Sequence, residues 1–92
     1  MLKKLGNIVE YEAMRYLEAS GYKVYRVPMS LLPFDILAIN PKTNEVLFVE
    51  VKRSNGRLSK RQEKFRELIN SNHNWKVSSK VMYKRGDEWV IE

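Results

Sequence analysis

The chain has 92 residues, none of them cysteine, and 30% are charged, so it is one small domain with a single modest core and no disulfides to lean on. Seventeen lysines and arginines against 11 aspartates and glutamates give a formal charge of +6, which favours a polyanionic partner. No apolar run is long enough for a membrane span, and none follows the N-terminal lysines as a signal peptide would require. A cytoplasmic chain is therefore expected, small enough that an oligomeric partner would help it.

An amphipathic helix is predicted over residues 7–19, ended by Gly21, a residue type suited to the position after a helix. Glu10 shares a stripe with Ala13, Met14 and Leu17, which turns its carboxylate to the apolar side, while Glu12 is turned outward toward Arg15. An acid on a packing face wants a partner, and a divalent cation or its water would serve. The competing reading is that the stripe frays into solvent and Glu10 serves the helix N-terminal dipole.

Residues 22–27 read as a strand, followed by a loop over 28–33. Residues 34–39 and 46–51 are short, apolar and rich in β-branched side chains, and the Asn- and Pro-bearing segment 40–44 between them makes a hairpin. Alternation puts Glu50 and Lys52 on one face with Val49 and Val51 on the other, and antiparallel pairing brings Asp35 to the end of the second strand, beside Glu50. Runs this apolar belong to a covered sheet, where a lone carboxylate is costly unless paired or bound to a cation. Two carboxylates without cysteine, and with one distant histidine, suit a hard ion such as Mg2+ or Mn2+ rather than Zn2+. Lys52 could hold the attacking water or a phosphate oxygen.

A turn is expected at residues 54–56. Ser59 to Gln62 has the capping-box form and opens a second helix to about residue 69. Gln62 shares a helix face with Phe65 and Ile69, so its amide could reach the catalytic strand or serve only as the capping partner. Residues 52–66 hold Lys52, Arg53, Arg57, Lys60, Arg61, Lys64 and Arg66 against Glu63 alone, equal to the excess of the whole chain. Arg53, Arg57, Lys60, Arg61 and Lys64 are the candidates for holding a phosphate backbone, against the plainer reading of a solvated helix face. His73 lies in an Asn-rich loop and is incidental. Strands over 81–83 and 88–91 close the order α-β-β-β-α-β-β. Trp75, Met82, Tyr83 and Trp89 divide between core and interface.

The set Asp35, Glu50-Val51-Lys52, after a helix bearing Glu10 and before one bearing Gln62, resembles the PD-(D/E)xK nuclease superfamily. Gly6-Asn7-Ile8-Val9-Glu10-Tyr11-Glu12, Arg26-Val27-Pro28-Met29-Ser30 and the carboxylate set resemble archaeal Holliday junction resolvases, as does the Glu88-Trp89 strand. Gly56-Arg57-Leu58-Ser59-Lys60-Arg61-Gln62 is similar also to the virus-type replication-repair nuclease domain. The resemblance implies a restriction-endonuclease-like α/β core, a mixed β-sheet flanked by helices, forming one nuclease domain over 1–92. It implies that Asp35, Glu50 and the Val51 carbonyl ligate Mg2+, with Mn2+ as a substitute, that Glu10 completes the metal site, that Lys52 positions or activates the water, and that Ser30 joins the active site. Two departures stand out: Phe34 lengthens the usual Pro-Asp by one residue, and little chain follows the last strand.

The reaction so implied is hydrolysis of a phosphodiester by an activated water, with no covalent enzyme intermediate. No Cys-His or Ser-His constellation and no Gly-rich phosphate loop points elsewhere. A homodimer would present two sites to the symmetric strands of a four-way DNA junction, whereas a monomer would nick. A catalytically silent DNA-binding module is the competing class. It has no reason to keep two carboxylates beside phosphates.

Overall fold

The computed structural model describes residues 5–28, 31–53 and 56–92, with side chains in the first helix from residue 8 onward. Ser30 and the first two residues of the turn expected at 54–56 lie outside the described residues. The elements run α1 (Leu5–Ala19), β1 (Lys23–Arg26), β2 (Ile36–Asn40), β3 (Glu45–Arg53), α2 (Lys60–Asn70), β4 (Val77–Arg85) and β5 (Glu88–Ile91), in the order the sequence predicts.

α1 ends as Gly21 requires. With φ at +101°, Gly21 donates its N–H to the Glu18 carbonyl and Tyr22 donates to the Leu17 carbonyl, each at 3.0 Å. This is the paired closure that releases a chain from a helix through a left-handed residue. Glu12 does not pair with Arg15 as its outward position suggested. It meets Lys84 at 3.1 Å, because α1 lies across the sheet and β4 brings a lysine nearer.

The five strands form one sheet in chain order, β1-β2-β3-β4-β5. β1, β2 and β3 are antiparallel neighbours, β3 and β4 are parallel, and β5 returns antiparallel to β4. The parallel step needs a crossover, which α2 supplies. In the β2–β3 turn the Asn40 side-chain oxygen accepts from the Lys42 and Thr43 N–H groups, and Asn44 takes a φ of +62°.

The sheet separates two packing layers. Toward α1, Ala13 and Leu17 bury against Ile36, Ala38, Leu47, Val49 and Met82, with Trp89 packed on the cluster. On the other face Phe34, Phe48 and Phe65 form an aromatic trio with centroids 5.0 to 5.4 Å apart. Met82 is thus core, Trp89 is half-buried against it, Tyr83 is half-buried, and Trp75 is exposed.

β4 runs over nine residues where hydropathy suggested three. Its first half, Val77-Ser78-Ser79-Lys80, is too polar to read as a strand, and it becomes one by pairing along β3 from Val46↔Val77 onward. Past the Val81–Glu92 bonds, the Asn70 side chain bonds both the N–H and the carbonyl of Ser79, at 2.8 and 3.1 Å. It acts as a one-residue strand on that edge.

Candidate active site

β2 begins at Ile36, so Asp35 stands at its mouth rather than inside it. Its N–H still donates to the Val49 carbonyl at 2.8 Å, one step past the last registered pair, Ile36↔Val49. This places its carboxylate beside the next stretch of β3, where Oδ2 accepts from the Val51 N–H at 2.9 Å. A residue's N–H and carbonyl leave a strand on the same side, so the Val51 carbonyl also faces the edge where β2 has ended.

Glu50 is held on the α2 face of β3 by strict alternation with Val49 and Val51. It is 7% exposed. Oε1 lies 3.4 Å from the Lys52 ammonium, while Oε2 is buried and has no hydrogen-bond partner. Burial pushes the Glu50 carboxyl up to about 8, and the negative charge of Asp35 adds to the rise while Lys52 opposes it. A carboxyl here holds its proton near neutrality unless a cation arrives to favour the ionised form.

Glu10 approaches from α1, toward the packing side as its stripe predicted. Arg26 of β1 takes it, with Nε 3.0 Å from Oε1. Burial raises the Glu10 carboxyl above its ordinary range, followed by the charge of Asp35, and the Arg26 contact lowers it. Glu10 is therefore close enough to feel Asp35, but it does not stand as a free third ligand. Among the described residues no three acidic, histidine or cysteine side chains form a ready ligand cluster. The donor set at hand is the Asp35 and Glu50 carboxylates with the Val51 carbonyl.

The orphaned Glu50 oxygen, its proton held by burial, and an all-oxygen donor set fit a hard divalent cation better than any side-chain partner in view. The pair would lose its mutual repulsion on binding one.

Gln62 resolves toward the cap. Its side-chain carbonyl accepts from the Ser59 N–H at 2.8 Å while the Ser59 hydroxyl accepts from the Gln62 N–H at 3.2 Å. This capping box fixes the start of α2, so Gln62 positions the basic helix instead of joining the carboxylates. Arg53, Arg57, Lys60, Arg61 and Lys64 are all exposed, and Arg61 also donates from Nη2 to the Leu31 carbonyl at 2.9 Å.

Two supporting residues escaped the sequence reading. Arg26 was visible as part of a strand and as the start of the Arg26–Ser30 motif, but without a role, since nothing local says that it meets Glu10, 16 residues away. Gly56 read as a turn residue, yet a Cβ there would lie 2.9 Å from the Lys52 Cβ and 3.2 Å from the Arg53 carbonyl oxygen. A glycine is what lets the chain pass over the stem of Lys52.

Residues 13–83 match the family model described as the VRR-NUC domain. Among solved structures, the chain is similar to Archaeoglobus fulgidus Hjc, a Holliday junction resolvase from an archaeal hyperthermophile, with a TM-score of 0.70 and 22% identity over 96% of this chain and 71% of that one. It is also similar to a structure described as a VRR_NUC domain, with a TM-score of 0.61 and 28% identity over 82% of this chain and 81% of that one. The first likeness carries the fold, a mixed five-stranded sheet flanked by two helices, as the sequence led us to expect. Among curated proteins none matches the chain.

Proposed function

Because this chain belongs to the VRR-NUC domain family of nucleases, we propose that it is a metal-dependent, structure-selective DNA endonuclease that hydrolyses phosphodiester bonds, with the four-way junction as its substrate. The observation that carries this reading is the buried Glu50 carboxyl beside Asp35, with one oxygen unpartnered. Structure alone gives no reason to keep it, since an unsatisfied buried carboxyl oxygen costs about 1 to 3 kcal/mol.

Asp35, Glu50 and the Val51 carbonyl would hold Mg2+ or Mn2+. The bound ion would lower the pKa of the attacking water and neutralise charge building on the phosphate. Lys52, steadied at 3.4 Å by Glu50, holds the water or a phosphate oxygen in line. The Val51 N–H keeps Asp35 in one orientation, which is the preorganisation such a step needs. Glu10 adds negative potential beside Asp35, with Arg26 setting its position. Arg53, Arg57, Lys60, Arg61 and Lys64 track the DNA backbone. Two copies related by a two-fold axis would cut two strands of one junction, and the protein would work in the cytoplasm, where it meets DNA. No helix among the described residues is long and apolar enough to cross a membrane.

The test is cleavage of a four-way junction, a flap, a nicked duplex and a linear duplex, with Mg2+, with Mn2+ and with chelator. Junction cleavage that needs the metal is expected. Faster cutting of flap or nicked DNA would make this the less selective virus-type replication-repair activity, and binding without cleavage under any metal would make it a silent DNA-binding module.

A further inference from the structure

Three hydrophobic residues precede Asp35 within five positions, and the structure treats them differently. Phe34 is 8% exposed, whereas Leu31 and Leu32 are 65% and 47% exposed. The loop is not loose for want of an anchor. Phe34 lies 5.0 Å from Phe48 and 5.3 Å from Phe65, the Leu31 carbonyl accepts from Arg61, and the Leu31 N–H donates to the Pro28 carbonyl at 3.4 Å. Its backbone is held while two adjacent leucines face water. Leu32 is three residues from Asp35, a reach of about 11 Å at most.

Tyr25 is a further exposed ring on the sheet face that carries the acids. It is 56% exposed and pairs with Leu37, which pairs with Phe48. By alternation Phe48 and Glu50 share a face of β3, so Tyr25 is exposed on the carboxylate side of the sheet. Beyond the loop stand the exposed Lys60, Arg61 and Lys64 of α2, with Arg61 joining the two. The leucine loop thus runs from the basic helix, through the Leu31–Arg61 bond, toward Asp35, and Tyr25 is exposed on the same sheet face as the acids.

Intact duplex DNA offers such a surface nothing, because its bases are stacked inside. A branch point does expose them, and its phosphates suit the adjacent cations. We propose that Leu31, Leu32 and Tyr25 form a platform that receives the unstacked bases at a DNA branch point and sets the preference of the site for branched over linear DNA. Apolar wedges and aromatic faces act on bases in this way, and one stacked base carries roughly five- to a hundredfold in affinity. The proposal rests on the nuclease reading for its substrate, but its test does not need catalysis.

A four-way junction carrying 2-aminopurine at the branch point and a linear duplex of the same sequence are titrated with the full chain in chelator. The wild type is expected to favour the junction and to brighten the probe. Leu31→Gln with Leu32→Gln should lose the brightening and at least fivefold of the junction-over-duplex ratio, Tyr25→Ala should lose part of both, and Leu31→Met with Leu32→Met should keep both. An unchanged ratio in the glutamine variant, or no brightening by the wild type, overturns the platform. So does a glutamine variant that changes only the sedimenting mass, which would assign the leucines to contact between copies. A wild type that binds and unstacks the junction but cleaves nothing with metal supports the platform and removes the catalysis. One that binds no DNA removes both.

Discussion

On the α1 side of the sheet, Glu10 is drawn out of water and answered by Arg26 at 3.0 Å; on the α2 side, Glu50 is more deeply buried and keeps an oxygen with no partner. The hydrophobic surroundings differ as well. The α1 layer packs Ala13 and Leu17 over Ile36, Val49 and Met82, with Tyr22 and Trp89 against them, while the α2 layer is built on the trio of Phe34, Phe48 and Phe65. On the first side the half-buried acid is matched by a protein cation. The second holds groups in place for something that is not protein.

The sharpest way to break this comparison is at the acids. Asp35→Asn or Glu50→Gln should lower Mg2+-dependent junction cleavage at least about a hundredfold, the scale of losing one preorganised electrostatic group, with junction binding kept or improved as negative charge leaves the DNA face. Cleavage by either variant at the wild-type rate would return the substituted acid to a structural role.

Core truncations should separate the layers by their effect on function. Leu17→Ala and Phe34→Ala should each cost about 2 to 5 kcal/mol in urea unfolding. Below their melting temperatures only the Phe34 variant should lose cleavage, because the Phe34 ring anchors the backbone next to Asp35. Equal cleavage by both would show that the aromatic trio does not set the position of Asp35.

The pH dependence of stability reads the burial of Glu50 directly. Its folded pKa of about 8 stands above the ordinary value of 4.5, so between those limits the folded chain holds a proton that the unfolded chain releases. Stability of the metal-free protein should therefore be greatest below about pH 4.5 as far as this group is concerned, and should fall by a few kcal/mol as pH rises to 8. Glu50→Gln should flatten that slope in urea melts, and Mg2+ should restore stability most at the alkaline end. A slope unchanged in Glu50→Gln would place the titration elsewhere.

On the basic side, replacing Arg57, Lys60 and Arg61 with alanine should make the salt dependence of DNA affinity shallower by about 2 to 3 in log-log slope. An unaltered slope would leave those residues as a solvated face. The smallest effect belongs to the cap: Ser59→Ala should cost about 1 kcal/mol and weaken DNA binding slightly through fraying of α2. A loss of cleavage without loss of helix in Gln62→Ala would instead give Gln62 a place among the reacting groups.

Much of the site was legible in the chain because its logic is local. Period-two alternation placed Glu50 and Lys52 on one face, and a short turn between apolar runs brought Asp35 to the end of β3. The capping box was complete in Ser59 and Gln62, though which of its two uses Gln62 serves was not. What could not be read depended on partners distant in sequence. The Glu10–Arg26 pair crosses from α1 to β1, Glu12 turned to Lys84 rather than Arg15, and the first half of β4 becomes a strand only because β3 lies beside it. The extra Phe34 looked like a disturbance of the Pro-Asp spacing and proved to be an anchor in the aromatic trio.

By itself the sequence determined the order of the elements, the hairpin that gathers two acids and a lysine, and the concentration of positive charge around α2, since each follows from backbone periodicity, turn chemistry and composition over a few residues. Only the tertiary structure decided which acid is answered by an arginine and which is left buried with an unpaired oxygen. That choice depends on which side of the sheet each helix covers, and no local pattern encodes it.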